Sequence, residues 1–589
     1  MSITEESLKM HLKDPAVFCC RREKGIVIGP EDLEDPTLFD DMADAGLIEL
    51  SDDGLTIEQV IGQKLISDSE ALVAITADLL ENVGAVAAPK ANNELELATK
   101  PVAPHSPKGG HGMIHVKIDK LEGLSLDLPA NYALVGNGTL PQASAPIEGL
   151  GEKKVIRQLL KQHVKITDAE IGKETSIKDG KITIDKTLMT SALKADALVK
   201  KIELDIIKPD ERHIYTDTIM DVCPIATKVS GELGEGVTKI CDGVVFMLTG
   251  LDEDGVQIHE FGSSEGFLDE KMYFGHPGCA DENDIIIRCH VEIERLSGMS
   301  RPGPLAAHKC QDVIIQAIRE QLKDYEGEIV LEERCEDIRR RGNPRIVLIK
   351  EIMGQGAMHD NVICPIEPCG IAGGRMNVDY GNVPLILTPN QVRDGSVHAL
   401  TCIGPATKEM TRHYIREPLV EQLAEDEELD LIGVVFVGSP QVNDEKIWVS
   451  ERLGSMFEAL DIDGCIITTE GFGNNHIDFI QHIEQAGKRD IPVVGVSFCA
   501  YQGQLVVGNK YADAMVEMNM DEGGFENNVA GCSCVTPAVA TRSIQMLKNK
   551  MSGVEILPAP KKWNNEIINE NNSLVGLEKT KLLDSGTLH

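Results

Sequence analysis

Residues 431–438 read LIGVVFVG, residues 464–470 read GCIITTE and residues 491–498 read IPVVGVSF, with ERLGSMFEAL (451–460) and NHIDFIQHIEQAG (475–487) between them. The three short runs are continuously apolar. The two segments between them repeat apolar residues at helical spacing. Strand, helix, strand, helix, strand, with strands apolar on both sides, is the pattern of a parallel sheet covered on both faces. Residues 402–589 are therefore expected to form an α/β domain around a βαβαβ core. KEMTRHYIREPLVEQLAEDEE (408–428) should lead into it as a helix kinked or restarted at Pro418. TPAVATRSIQMLKNKM (536–551) is the last periodic segment, and the chain beyond Pro558 is polar.

Working back from this core, residues 113–401 read as a mixed, strand-rich region. CDGVVFML (241–248), DIIIRCHVEI (284–293), IVLIKEIM (346–353) and VPLILT (383–388) are Val/Ile-rich runs closely punctuated by Gly and Pro. Ile114-His115-Val116-Lys117-Ile118 alternates as a half-exposed strand does, while KKVIRQLLKQHV (153–164) carries a helical period. Residues 88–112, within the Pro-rich AAPKANNELELATKPVAPHSPKGGHG, predict a flexible linker. Residues 1–87 predict a helical N-terminal unit, because IEQVIGQKLISDSEALVAITADLLENV (57–83) keeps amphipathic spacing. The expected class is thus α/β throughout: helical unit, strand-rich middle, parallel sheet.

Composition excludes several functions. The 95 acidic residues exceed the 57 basic ones by 38. A nucleic-acid binder needs a basic surface to displace counterions, and an anionic membrane surface repels this chain. No run of about 18 apolar residues is present to span a bilayer. The opening MSITEESLKMHLKD lacks the order of a signal peptide, so the expected location is the cytoplasm. The 15 cysteines are then expected to be thiols, most of them buried.

Few motifs point to chemistry on their own. Glu470-Gly471-Phe472-Gly473-Asn474-Asn475-His476 lacks the third glycine of a dinucleotide fingerprint, and reads as a turn. Cys364-x4-Cys369 and Cys532-x-Cys534 have no partner pair at zinc spacing, so no metal is expected. Cys223-Pro224 reads as a turn. Cys402 is the sharpest feature: it lies at the junction of the strand-rich region and the sheet domain, with His398 and His413 flanking it within eleven positions. Read from composition alone, it is a buried thiol.

Residues 398–418, HALTCIGPATKEMTRHYIREP, resemble the processing site of D-proline reductase proproteins, a family extending to the pyruvoyl-bearing component of glycine, sarcosine and betaine reductases. The likeness continues through DPAVFCCRREKG (14–25), HEFGSSEGFLDEKM (259–272) and GHPGCADENDIIIRCHVEI (275–293). It implies self-cleavage between Thr401 and Cys402. The Cys402 sulfur attacks the Thr401 carbonyl, elimination leaves dehydroalanine, and hydrolysis leaves a covalent pyruvoyl group at position 402. Gly404 and Pro405 would hold a turn that strains the scissile bond. The resemblance further implies that this ketone condenses with the ring nitrogen of D-proline. A selenolate then opens the ring, and a dithiol or electron-transfer protein resets the selenium after release of 5-aminovalerate.

The sequence contains no selenocysteine, so the selenolate is expected from a separate small selenocysteine-containing subunit in a hetero-oligomer. Arg412 offers a bidentate fork for a substrate carboxylate, and His398, His413 or Lys408 could move protons. Solvated helix-surface positions are the plainer reading of Lys408 and Arg412. Two alternatives stay open: a reductase of another amine (glycine, sarcosine, betaine or hydroxyproline), and an uncleaved, non-catalytic scaffold paralogue.

Overall fold

The computed structural model describes most of residues 3–81, the strand pair Met113–Lys117 and Ser125–Pro129, and most of 153–556. Residues 82–112, 130–152, 353–361, 371–380, 400–408, 470–474, 498–506, 519–528 and 557–589 lie outside the described set. The linker, the C-terminal tail, Thr401, Cys402 and Lys408 therefore fall outside it. The chain divides into Met1–Glu148 with Gln504–Asn509, and Gly149–Gly503 with Lys510–His589. Among the described residues no helix is long and apolar enough to cross a membrane.

The first unit departs from the helical expectation. Among the described residues of 57–81, only Ile57–Val60 form an α-helix. Gly62 then turns the chain at φ +79, and the apolar residues that follow make isolated bridges, Val27 to Lys64, Leu65 to Leu80 and Val17 to Ala74. Their spacing serves a small core of Phe18, Ile28, Leu33, Ile57, Val60, Leu65, Ile75 and Leu80. Short extended pieces bury the same residues that a helix would have placed on one face.

The second unit begins with β1 (Lys153–Lys165), a strand where the sequence showed a helical period. Neighbours on both sides decide the matter. The strand β5 (Gly236–Asp242) pairs with it in parallel, and β8 (Ile329–Arg340) pairs antiparallel along nearly its whole length. The short β4 (Ala226–Ser230) completes this sheet. A second sheet has the order β2 (Val199–Ile207), β7 (Ile285–Ile293), β6 (Val244–Asp252) and β3 (Ile219–Cys223). The 23-residue helix α1 (Pro302–Asp324) packs Ile314, Ile318 and Leu322 into the core with Phe246, Leu248 and Ile287.

The third sheet is the parallel one. In chain order its strands are β9 (Arg345–Ile352), β10 (Leu385–Leu387), β11 (Asp430–Gly438), β12 (Gly464–Thr469), β13 (Val493–Ser497) and β14 (Met515–Glu517). They lie in the order β10-β11-β9-β12-β13-β14, and only β10 runs antiparallel. The βαβαβ core is as expected, with α5 (Asn443–Leu460) and α6 (Asn475–Gly487) as crossovers.

The sheet also reaches back before residue 402, which the division at 401 did not anticipate. IVLIKEIM is not a strand of the middle region. As β9 it lies between β11 and β12, because a run apolar on both faces suits the centre of a two-sided sheet. The helices α2 (Pro389–Arg393), α3 (Thr411–Ile415), α4 (Pro418–Glu425) and α7 (Pro537–Met551) complete the fold. Leu419, Leu423, Val539 and Leu547 pack on the Ile346/Leu348 face of the sheet.

Candidate active site

Strand alternation puts Lys350 on the α3/α4 face of β9 and Glu351 on the other. Lys350 is wholly buried, and its Nζ donates to Glu409 Oε1 at 2.6 Å and to Glu417 Oε1 at 2.9 Å. The Glu417 carboxylate also accepts the Val420 N–H at 2.6 Å, capping α4. Between the two carboxylates sits His413, whose Nε2 is 3.4 Å from Glu409 and 3.8 Å from Glu417. Burial disfavours its charged form, but Cys534 and the two carboxylates outweigh that and hold the imidazole well above its ordinary range. Burial likewise raises Glu417, yet Lys350 and His413 bring it down to about 2. Two cations and two anions thus neutralise one another in an apolar surround.

Cys534 closes this cluster. Its thiol donates to the Gly531 carbonyl at 3.2 Å, and His276 Nδ1 donates to the same oxygen at 2.8 Å. Burial pushes the thiol up, but the imidazoles of His276 and His413 more than offset it and bring it down to about 7.

The other cluster ties together the two flanks of residues 400–408. Before them, His398 lies in a two-residue strand paired with Val362–Ile363. After them, Thr411 opens α3. Asp221 on β3 reaches both: its Oδ1 accepts the Thr411 N–H at 3.0 Å, its Oδ2 accepts the Thr411 hydroxyl at 2.8 Å, and His398 Nε2 lies 3.6 Å from Oδ2. Cys223, two residues along β3, donates its thiol to Asp221 at 3.0 Å. From one face of α1, His308 Nε2 approaches Asp221 at 3.5 Å and Gln311 Nε2 donates to Cys223 Sγ at 3.4 Å. Every one of these side chains is essentially inaccessible. Burial raises the Asp221 carboxyl, but His308 and His398 hold it well below the carboxylate range.

Of the expected site residues, Thr401, Cys402 and Lys408 lie outside the described set. His398 and His413 are buried on the two sides of residue 402, each against carboxylates. Arg412 differs from both readings given to it. Its Nη1 donates to Asp284 at 2.6 Å and to the Cys279 carbonyl at 2.9 Å, and its Nη2 donates to Asp281 at 2.8 Å. The fork is taken up within the chain, where it ties α3 to the 279–284 turn, and the side chain is only 12% exposed.

Sequence reading missed Asp221, Cys223, His308, Lys350, Glu409, Glu417 and Cys534. Two signals were available. Lys350-Glu351 interrupts an apolar run with adjacent charges, and Glu409, His413 and Glu417 recur every four residues. Glu409 Oε2 is buried without a hydrogen-bond partner. An unsatisfied buried acceptor is uncommon in a folded protein, and this one lies two residues before α3.

The family described as glycine/sarcosine/betaine reductase component B subunits matches residues 157–271 and 279–521. The chain is 48% identical to the D-proline reductase proprotein PrdA of Acetoanaerobium sticklandii, over 98% of this chain and 95% of that one. It is 24% identical to the glycine reductase complex component B subunits alpha and beta of the same organism, over 65% of this chain and 85% of that one. It is 21% identical to the betaine reductase complex component B subunit alpha of Peptoclostridium acidaminophilum, over 69% and 94% respectively. No solved structure matches.

Proposed function

This chain belongs to the family of glycine/sarcosine/betaine reductase component B subunits, and from that premise we propose that it is the precursor of the pyruvoyl-bearing subunit of a D-proline reductase. The observation that carries the reading is the 48% identity to a D-proline reductase proprotein along 98% of the chain. The precursor cleaves itself between Thr401 and Cys402, and Cys402 becomes the pyruvoyl group. A ketone there supplies an electrophile for the substrate amine that no ordinary side chain offers.

The chain's own residues do the holding. Asp221 fixes the backbone on both sides of the scissile segment, through His398 before it and Thr411 after it. Lys350 anchors Glu409 and Glu417, so the start of the smaller piece is held by a strand of the larger one. Burial keeps water from both clusters, which strengthens these charge interactions. The selenolate comes from a separate selenocysteine-containing subunit, and a dithiol or electron-transfer protein supplies the reducing equivalents.

One consequence concerns the cleaved form. Residues 1–401 contribute β9 and β10 to the third sheet, and residues 402–589 contribute β11 to β14. The two pieces should co-elute as one species in size-exclusion chromatography without denaturant, and separate only on unfolding. Elution of two independently folded pieces would contradict the sharing of one sheet.

Turnover tests the function. With the selenocysteine-containing partner and a dithiol, the cleaved protein should convert D-proline to 5-aminovalerate, and leave glycine, sarcosine, betaine and hydroxyproline unreacted. Preference for one of those four would reassign the substrate. No turnover of any amine by cleaved protein with an active partner would favour a scaffold.

A further inference from the structure

The Asp221 cluster brings two imidazole nitrogens and a thiol to one carboxylate oxygen. His308 Nδ1 lies 2.8 Å from the Pro304 carbonyl oxygen, and His398 Nδ1 lies 2.9 Å from the Gly370 carbonyl oxygen. A carbonyl only accepts, so both rings carry hydrogen on Nδ1. In the neutral imidazole this leaves both Nε2 lone pairs free. Those two nitrogens aim at the same carboxylate oxygen, Asp221 Oδ2, at 3.5 and 3.6 Å. His308 Nε2 makes no hydrogen bond despite complete burial. A second proton on each ring would turn these contacts into ion pairs with Asp221; with both rings neutral, their lone pairs converge on an anion and need a metal cation among them.

The donor set has the chemistry of a transition-metal site. Asp221, Cys223 and His398 each offer a ligand atom within 4.8 Å of the others; His308 stands outside that group, its Nε2 3.5 Å from the Asp221 oxygen, and would have to move in to become the fourth ligand. The separations are 3.0 Å (Cys223 Sγ to Asp221), 3.5 and 3.6 Å (the imidazoles to Asp221), and 4.0 Å (Cys223 Sγ to His398 Nε2). Four ligands around zinc at about 2.0–2.3 Å stand roughly 3.3–3.8 Å apart in a tetrahedron. Both histidines give their second nitrogen to a backbone carbonyl, the usual outer-shell arrangement of a ligating imidazole. Gln311 donates to the Cys223 sulfur, a hydrogen bond that a metal-bound thiolate would keep. The other group of suitable spacing, Glu409, His413 and Glu417, is already neutralised by the Lys350 ammonium and offers no comparable vacancy for a cation.

We propose that Asp221, Cys223, His308 and His398 bind one zinc ion. Sulfur, two imidazoles and one carboxylate make a borderline-soft tetrahedral set, which favours zinc over magnesium or calcium. Thiolate and carboxylate together carry two negative charges, which one divalent cation balances. With all four positions filled by side chains, the ion is structural. It clamps β3 and α1 to His398, four residues before Cys402, and so fixes where the scissile segment leaves the fold. The spacing of cysteines along the sequence could not reveal it, because the ligands come from three separate elements and only one is a cysteine. The assignment is independent of the substrate.

Metal analysis of the full chain tests it. Protein produced in zinc-supplemented medium and dialysed against zinc-free buffer should retain about one zinc per chain. Cobalt exchanged into the site should give a tetrahedral ligand-field spectrum with a thiolate charge-transfer band. Cys223→Ser should abolish the charge-transfer band, and His308→Gln should weaken retention at least tenfold. Should a variant fail to fold, the wild-type metal content and cobalt spectrum still decide. Wild-type protein that retains no zinc, or zinc retained unchanged in folded Cys223→Ser, would overturn the assignment.

Discussion

Replacing Cys402 by alanine leaves one uncut chain of 589 residues with no carbonyl at position 402. The acyl shift that opens the peptide bond needs a nucleophilic atom on the side chain of residue 402, and a methyl group has none. D-Proline turnover then falls below detection, a loss of at least about 10³-fold and well within the roughly 10⁶-fold or greater acceleration an enzyme supplies. Cys402→Ser keeps a nucleophile and should still cleave, more slowly. Denaturing electrophoresis and 5-aminovalerate assays read both outcomes. Normal cleavage of Cys402→Ala would place the reactive residue elsewhere.

Lys350→Met has the second large effect, this time on stability. Methionine fits the volume but leaves Glu409 and Glu417 facing each other in the interior, with His413 alone to offset them. Removing one partner of a buried charge group costs about 3–5 kcal/mol, and urea unfolding at neutral pH should show it. The pH dependence follows from the carboxylates. Lys350 and His413 hold Glu417 down to about 2 in the folded protein, against about 4.3 when unfolded. Their contribution is therefore full above the unfolded value and is lost as pH falls from about 4 towards 2. Lys350 and His413 are shifted upward instead: the His413 contribution is full below about 6.5 and declines as pH rises above it, while that of Lys350 persists until pH passes its unfolded value of about 10.4. The gap between wild type and Lys350→Met should be widest near pH 7 and narrow below about pH 4. The double variant Lys350→Met/Glu417→Gln should recover more than half the loss. A single variant within about 1 kcal/mol of wild type would mean that the cluster is hydrated rather than buried.

The parallel sheet was legible because its strands are buried on both faces and its crossovers are amphipathic, both local properties of the chain. β9 was legible as a strand but not as a member of that sheet. Its partners β11 and β12 lie far along the sequence, and nothing in IVLIKEIM names them. The helical period in residues 57–83 misled for a related reason: spacing records which residues are buried, and a bridged loop around Phe18 and Leu33 buries them as well as a helix does.

The site was legible only near Cys402. His398 and His413 stood out by proximity, and both are buried against carboxylates. Asp221 lies 190 residues from Thr411 along the chain, and Lys350 lies 59 from Glu409. Contacts of that length leave no local periodicity. Arg412 shows the limit of reasoning from residue type, since a guanidinium suits a substrate carboxylate and the pair Asp281/Asp284 equally well.

Intact mass under denaturing conditions, before and after phenylhydrazine, tests the central claim most directly. Protein made with its natural partners should give two masses, for residues 1–401 and for residues 402–589 with a ketone in place of the cysteine amine and thiol. Only the smaller should gain a hydrazone. A single full-length mass that ignores the reagent would contradict the account.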